Sequence, residues 1–149
     1  MDDFVRQIFE NAVIREQAAQ RMYQKMSEEA RSGSLRALFL KLAEEEVVHE
    51  VLFRKADLRV LKIVNEAPLA RLNLLEPVGN PEKQDINNAL DFAIAEEQKA
   101  VDDYSLLLNH LDFGETREAF SEVAVQEKRH KTLLQKAKLE FNDNDWNVL

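Results

Sequence analysis

The sequence contains no cysteine, three glycines, three prolines and one tryptophan in 149 residues. Without cysteine there can be no disulfide, no thiolate metal site and no cysteine nucleophile. An excess of positive charge is also missing: 28 acidic residues stand against 20 basic ones, a formal charge of -8. A surface for nucleic acid or anionic lipid needs clustered Lys and Arg, so neither partner is expected. Cationic or uncharged partners fit this balance better. No apolar run approaches the ~20 residues that span a bilayer. Met1-Asp2-Asp3 opens no basic segment leading into a hydrophobic one, so no signal peptide is read here. The expectation is one cytoplasmic domain, large enough to bury a core without cross-links.

The few glycines and prolines punctuate the chain. They fall at Gly33, Pro68, Pro77, Gly79, Pro81 and Gly114. Between them lie four long stretches rich in Ala, Leu, Glu, Lys and Gln, all good helix formers. Helices are expected over about 3–32, 34–66, 82–112 and 115–140. Ser32-Gly33-Ser34 reads as a C-cap glycine followed by an N-cap serine, and Phe113-Gly114 as a similar break. Both links are short, so the helices they join should be antiparallel neighbours. The segment 67–81 differs, because it holds all three prolines. Fully extended it could cross ~50 Å at ~3.3 Å per residue, and a 30-residue helix is ~45 Å long. It can therefore run from one end of a bundle to the other. The expected fold is all-α: an antiparallel four-helix bundle with one long crossover between helices 2 and 3, the ferritin-like topology. The domain would span 1–140 and leave a tail at 141–149, whose Trp146 should dock on the bundle or on a partner subunit.

Helical periodicity marks one apolar stripe per helix. The first runs Val5, Phe9, Ala12, Glu16, Ala19, Tyr23, Met26, Ala30. The third runs Ile86, Leu90, Ala93, Glu97, Ala100, Tyr104, Leu107, Leu111. In the second, Leu35, Phe39, Leu42, Glu46, His49, Phe53 and Ala56 share a face; in the fourth, Phe120, Val123, Glu127, His130, Leu134 and Ala137 do. Every stripe carries its charge near the middle. A carboxylate there is costly unless it is paired or holds a metal.

The two halves are copies. A shift of 81 residues maps Glu16 to Glu97, Tyr23 to Tyr104, Gly33 to Gly114, Phe39 to Phe120, Glu46 to Glu127 and His49 to His130. Two helical hairpins related by a pseudo-two-fold axis would bring four carboxylates and two imidazoles together. A lone Glu on a stripe, or a lone Glu-x-x-His in a Glu-rich helix, is close to noise. Both motifs and both single glutamates at one offset are not.

Glu46-x-x-His49 and Glu127-x-x-His130 set an oxygen and a nitrogen one turn apart on one helix face. Glu16 and Glu97 add one carboxylate each. Four ionised carboxylates in a core repel one another, and two divalent cations would cancel them. Oxygen and nitrogen donors suit iron or manganese, zinc also fits, and copper(I) does not. Two such ions are the expected cofactors, and the family resemblance described below implies that both are iron. Tyr23 and Tyr104 follow the single glutamates by seven residues on the same stripe. They read either as donors that orient ligand carboxylates or as core tyrosines satisfied elsewhere. Glu44, Glu45, Glu50 and Glu96 fall off the stripes and read as a solvated face, with an iron access path as the minor alternative. His110 has Glu29 as its counterpart and reads as a surface or helix-end residue.

At Glu16, Glu46-Val47-Val48-His49, Glu97 and Glu127-Lys128-Arg129-His130, with Tyr23 and Tyr104 beside them, the sequence resembles the rubrerythrin branch of the ferritin-like di-iron carboxylate superfamily. The resemblance covers about residues 3–140. It implies a non-haem di-iron oxidoreductase of peroxidase or ferroxidase type, with peroxide or dioxygen as oxidant. By symmetry Glu16 and Glu97 would be terminal ligands, Glu46 and Glu127 bridges, and His49 and His130 one cap each. Rubrerythrins proper also carry a rubredoxin-like domain with four cysteines. These 149 residues have none, so catalysis would need an external electron donor. Rubrerythrins typically place an extra carboxylate where this chain has Ile94, and the symmetric six-ligand set looks more like bacterioferritin-type sites. Iron storage with ferroxidase-type oxidation and a non-catalytic metal-stabilised bundle stay open as alternatives. A homo-oligomer, and a dimer in particular, is the expected assembly.

Overall fold

The computed structural model describes residues 3–55, 85–111 and 114–146, with backbone only at residues 3–5, 115 and 116. It forms four helices: α1 (Asp3–Glu29), α2 (Gly33–Arg54), α3 (Ile86–Leu108) and α4 (Glu115–Glu140). α1 packs along α2, α3 along α4, and α2 meets α4. The architecture is an all-α four-helix bundle. No described helix is long and apolar enough to cross a membrane.

Local chemistry sets the helix ends. Ser32, not Ser34, caps α2; its hydroxyl accepts from the Leu35 amide at 3.2 Å. Gly33 is therefore the first residue of α2 rather than a left-handed cap of α1. α1 needs no such cap because the tail meets its end. Arg31 and Ser32 donate their amides to the Asp145 carbonyl at 2.7 and 3.3 Å, and Ala30 pairs with Trp146 in an antiparallel bridge. That pairing ends α1 three residues before the expected 32. Asp85 caps α3, accepting from the Asn88 amide at 2.8 Å. After Leu108 the Asn109 and His110 amides turn back to the carbonyls of Leu106 and Leu107, closing α3 short of the expected 112. Gly114 precedes α4 with φ +139, a conformation that side chains rarely tolerate. The expected continuation of α2 beyond 55 and the crossover at 67–81 lie outside the described residues.

The core comes in two apolar layers. One gathers Phe9, Phe53, Tyr104, Leu107, Phe120 and Val123. Phe120 is its hub, with ring centroids 5.0 Å from Phe9, 4.6 Å from Phe53 and 5.5 Å from Tyr104. The other gathers Tyr23, Met26, Leu35, Phe39, Leu90, Leu134 and Trp146. Trp146 sits edge-on to Phe39 at 6.1 Å, so the tail docks on this chain's own bundle. Between the two layers runs a band of buried charge.

Candidate metal centre

That band contains every stripe carboxylate and imidazole. Glu16, Glu46, His49, Glu97, Glu127 and His130 are all buried, with Glu46 and His130 at 0 % exposure. Each comes from the middle of its helix, where the 3.6-residue period keeps it on the inward face. The geometry crosses between the hairpins. His49 Nδ1 of α2 lies 2.7 Å from Glu127 Oε1 of α4, and His130 Nδ1 of α4 lies 2.9 Å from Glu46 Oε1 of α2. The two imidazoles lie nearly parallel, 17° apart with centroids at 5.7 Å.

Glu16, Glu46, His49 and Glu127 form one group able to hold a cation, and Glu46, Glu97, Glu127 and His130 a second; in each, the donor atoms lie within 4.8 Å of one another. Glu46 and Glu127 are common to both. Among the described residues, seven buried side-chain atoms lack an aligned hydrogen bond, the close His49–Glu127 and His130–Glu46 approaches included, and all seven belong to these six residues: Glu16 Oε2, both Glu46 oxygens, His49 Nδ1, Glu97 Oε2, Glu127 Oε1 and His130 Nδ1. Buried polar atoms are almost always satisfied. Orphans confined to one cluster of oxygen and nitrogen donors fit a pair of metal ions.

The outer carboxylate oxygens are satisfied. Tyr104 donates its hydroxyl to Glu16 Oε1 at 2.6 Å, and Tyr23 donates to Glu97 Oε1. Each tyrosine therefore serves the carboxylate of the opposite repeat, and of the two readings of these tyrosines the one that orients carboxylates matches this geometry.

Without cations the cluster can lower its charge only by holding protons. Burial pushes the carboxyls of Glu46 and Glu127 well above the usual range; repulsion from Glu16 adds to it at Glu46, and repulsion from Glu46 and Glu97 at Glu127. At Glu16 burial acts upward too, but the close approach of Glu46 and His49 and the Tyr104 hydroxyl outweigh it and hold that group low. Burial works against a charged His49, yet Glu127 and Glu16 overcome it and raise the imidazole to about 9. His130 is raised in the same way by Glu97 and Glu45, against the pull of burial. Burial and the neighbouring glutamates push both tyrosines well above the ordinary phenol value.

The solvated-face reading fails at Glu45 and Glu96 and holds only in part at Glu50. Glu45 reaches across to α4, where Oε2 lies 2.8 Å from His130 Nε2 and Oε1 takes a hydrogen bond from Arg129. Glu96 is buried at 9 % exposure, with Oε1 accepting from Lys99 Nζ at 3.1 Å. Glu50 accepts from Gln17 and Gln20 of α1 at 3.2 and 2.8 Å, while Glu44 is exposed as expected. Stripe analysis also missed a buried ion pair: Arg15 Nη1 donates to Asp103 Oδ2 at 2.7 Å, with both side chains under a tenth exposed. Neither member lies on its helix's apolar stripe. A signal was present in the repeat itself, since the counterparts of Arg15 and Asp103 are Glu96 and Met22. His110 lies in the turn after α3, outside both groups.

The sequence model of the rubrerythrin family matches residues 7–67 and 88–147. The chain belongs to the rubrerythrin family. The two matched stretches begin at residues 7 and 88, one repeat offset apart. No curated protein sequence matches. Two solved structures share the fold. A dodecameric thioferritin, the bacterioferritin-related protein of Bacteroides fragilis, superposes with a TM-score of 0.74 at 19% identity, covering 94% of this chain and 88% of its own. A candidate ferritin-like di-iron carboxylate protein of Thermotoga maritima gives a TM-score of 0.67 at 23% identity, covering 89% of this chain and 93% of its own. This rubrerythrin-family bundle is thus ferritin-like in fold.

Proposed function

We propose that the chain is a cytoplasmic di-iron oxidoreductase that binds two iron ions in the bundle centre and reacts with peroxide or dioxygen. The observation that carries the reading is the confinement of every described orphan atom to the six candidate ligands. Glu16 and Glu97 would hold one iron each. Glu46 and Glu127, common to both groups, would bridge them. His49 and His130 would each cap one. Two divalent cations would replace the protons that now lower the cluster's charge. When bound, the irons supply one electron each to the oxidant.

The chain's own residues do the rest. Tyr104 and Tyr23 fix the outer oxygens of Glu16 and Glu97, leaving the inner oxygens free to turn toward a cation. The apolar layers on both sides exclude bulk water. A small pocket lined by Arg15, Glu16, Met22, Glu97 and Ala100 reaches the centre between α1 and α3. Reduction of one peroxide to two waters takes two electrons and two protons, so turnover requires an external donor.

Elemental analysis of protein grown with ample iron, beside a Glu16→Ala/Glu97→Ala variant, tests the centre. About two irons per wild-type chain and their loss in the variant are expected. A wild type that binds no metal would sink the reading. Peroxide consumption with an added reductant then tests the reaction. Storage is the second reading, and the dodecamer of the Bacteroides fragilis thioferritin favours it. A closed shell retaining many irons per chain would support storage, whereas steady peroxide turnover by a dimer would support the oxidoreductase.

A further inference from the structure

The pseudo-two-fold symmetry of the ligands is broken in the residues just behind them. His130 turns Nδ1 toward the centre, 2.9 Å from Glu46 Oε1, and Nε2 toward Glu45 Oε2 at 2.8 Å. Arg129 holds the other Glu45 oxygen. The repeat offset turns Glu45 into Gln126 and Arg129 into Val48. His49 is the counterpart of His130, but among the described residues no carboxylate meets its Nε2. Gln126 instead accepts from Arg129 Nε at 3.2 Å. A second break lies beside the other candidate terminal ligand. Buried Arg15, paired with Asp103, directly precedes Glu16, and the corresponding residue before Glu97 is Glu96.

The first difference sets the order. A carboxylate behind a metal-bound imidazole fixes the ring and makes it a stronger donor. Arg15 adds little to this order, because buried Asp103 balances its charge and its Nη2 meets the Glu96 carbonyl at 3.4 Å, next to the other subsite. We infer that the two metal subsites are unequal: the one formed by Glu46, Glu97, Glu127 and His130 binds more tightly than the one formed by Glu16, Glu46, His49 and Glu127. Glu45 is the positioning residue that sets most of the difference. The inference rests on the dimetal centre proposed above and adds an order of filling, with the His130 subsite first.

The test is titration of the metal-stripped full chain with Mn(II), following free Mn(II) by electron paramagnetic resonance. Two resolved steps of one ion each are expected in the wild type. Glu45→Gln should weaken the tighter step by about 10–100-fold, leave the weaker one in place and so merge the two. Glu45→Asp should keep them apart. Gln126→Glu, at a half-buried position that threatens the fold little, should tighten the weaker step. Two ions bound with one common affinity would overturn the inequality while leaving the centre standing, and failure to bind two ions would overturn both. Separate steps unchanged in Glu45→Gln would overturn the role given to Glu45. Urea unfolding of each metal-free variant checks that the bundle is intact.

Discussion

The same four helices build two apolar layers and the charged band between them, yet the three parts stand in opposite relation to stability. In the outer layers Phe120, Phe39 and Leu134 are fully buried and meet other apolar groups, a burial worth ~1.5–3 kcal/mol for each side chain. In the middle, the orphaned oxygens and nitrogens of six residues are just as deeply buried and gain no hydrogen bond in return. The outer layers hold the helices at a spacing that the middle alone could not enforce. The bundle is stable on either side so that a costly arrangement can persist at its waist.

The sharpest contrast comes from deleting one group of each kind in the metal-free protein. Phe120→Ala removes the hub of an aromatic cluster and should cost ~3–5 kcal/mol in urea unfolding. Glu46→Met keeps most of the volume but removes a fully buried carboxylate among like charges. It should stabilise the metal-free bundle modestly, because burial and repulsion from Glu16 both act against that carboxylate, and abolish binding of the second ion. A loss of stability in Glu46→Met would break the comparison.

Smaller effects sharpen it. Tyr104→Phe leaves Glu16 Oε1 without its 2.6 Å donor and should cost ~1–3 kcal/mol; Phe53→Leu, a mainly apolar change in the layer beside it, should cost less. The last prediction concerns pH. His49 is raised from 6.5 to about 9, so its contribution to metal-free stability is complete below about 6.5 and disappears as pH climbs through 9. Glu46 and Glu127, raised as well, act with the same sign from the ordinary carboxylate range upward. Glu16 is lowered, so its opposite contribution is lost only under acid conditions. Metal-free stability should therefore decline between pH 5 and 9, by at most ~1.4 kcal/mol per pH unit for each proton. Metal affinity should rise over the same span, because protons compete for the ligands. Thermal unfolding with and without Mn(II) across that range measures both slopes.

The parts legible in the sequence were those written along one helix. A period of 3.6 placed Glu16, Glu46, Glu97 and Glu127 on inward faces, and the repeat offset brought the four helices to one centre. What stayed hidden was written between helices. Glu45 points off its own stripe, yet it fills the gap beside His130 on α4, and no spacing within α2 encodes that reach. Arg15 and Asp103 meet across α1 and α3 for the same reason. Gly33 was misplaced because the end of α1 is satisfied by Asp145, more than a hundred residues away in sequence. Periodicity reports which way a residue faces, and the partner it finds depends on packing.

The docked tail gives the molecule an optical handle. Trp146 is the sole tryptophan. Its indole meets Phe39, Phe39 lies nearly parallel to Tyr23 at 6.4 Å, and Tyr23 bonds Glu97. Three contacts thus join the one strong fluorophore to the heart of the bundle, and loading of the proposed centre should alter its emission without any added dye.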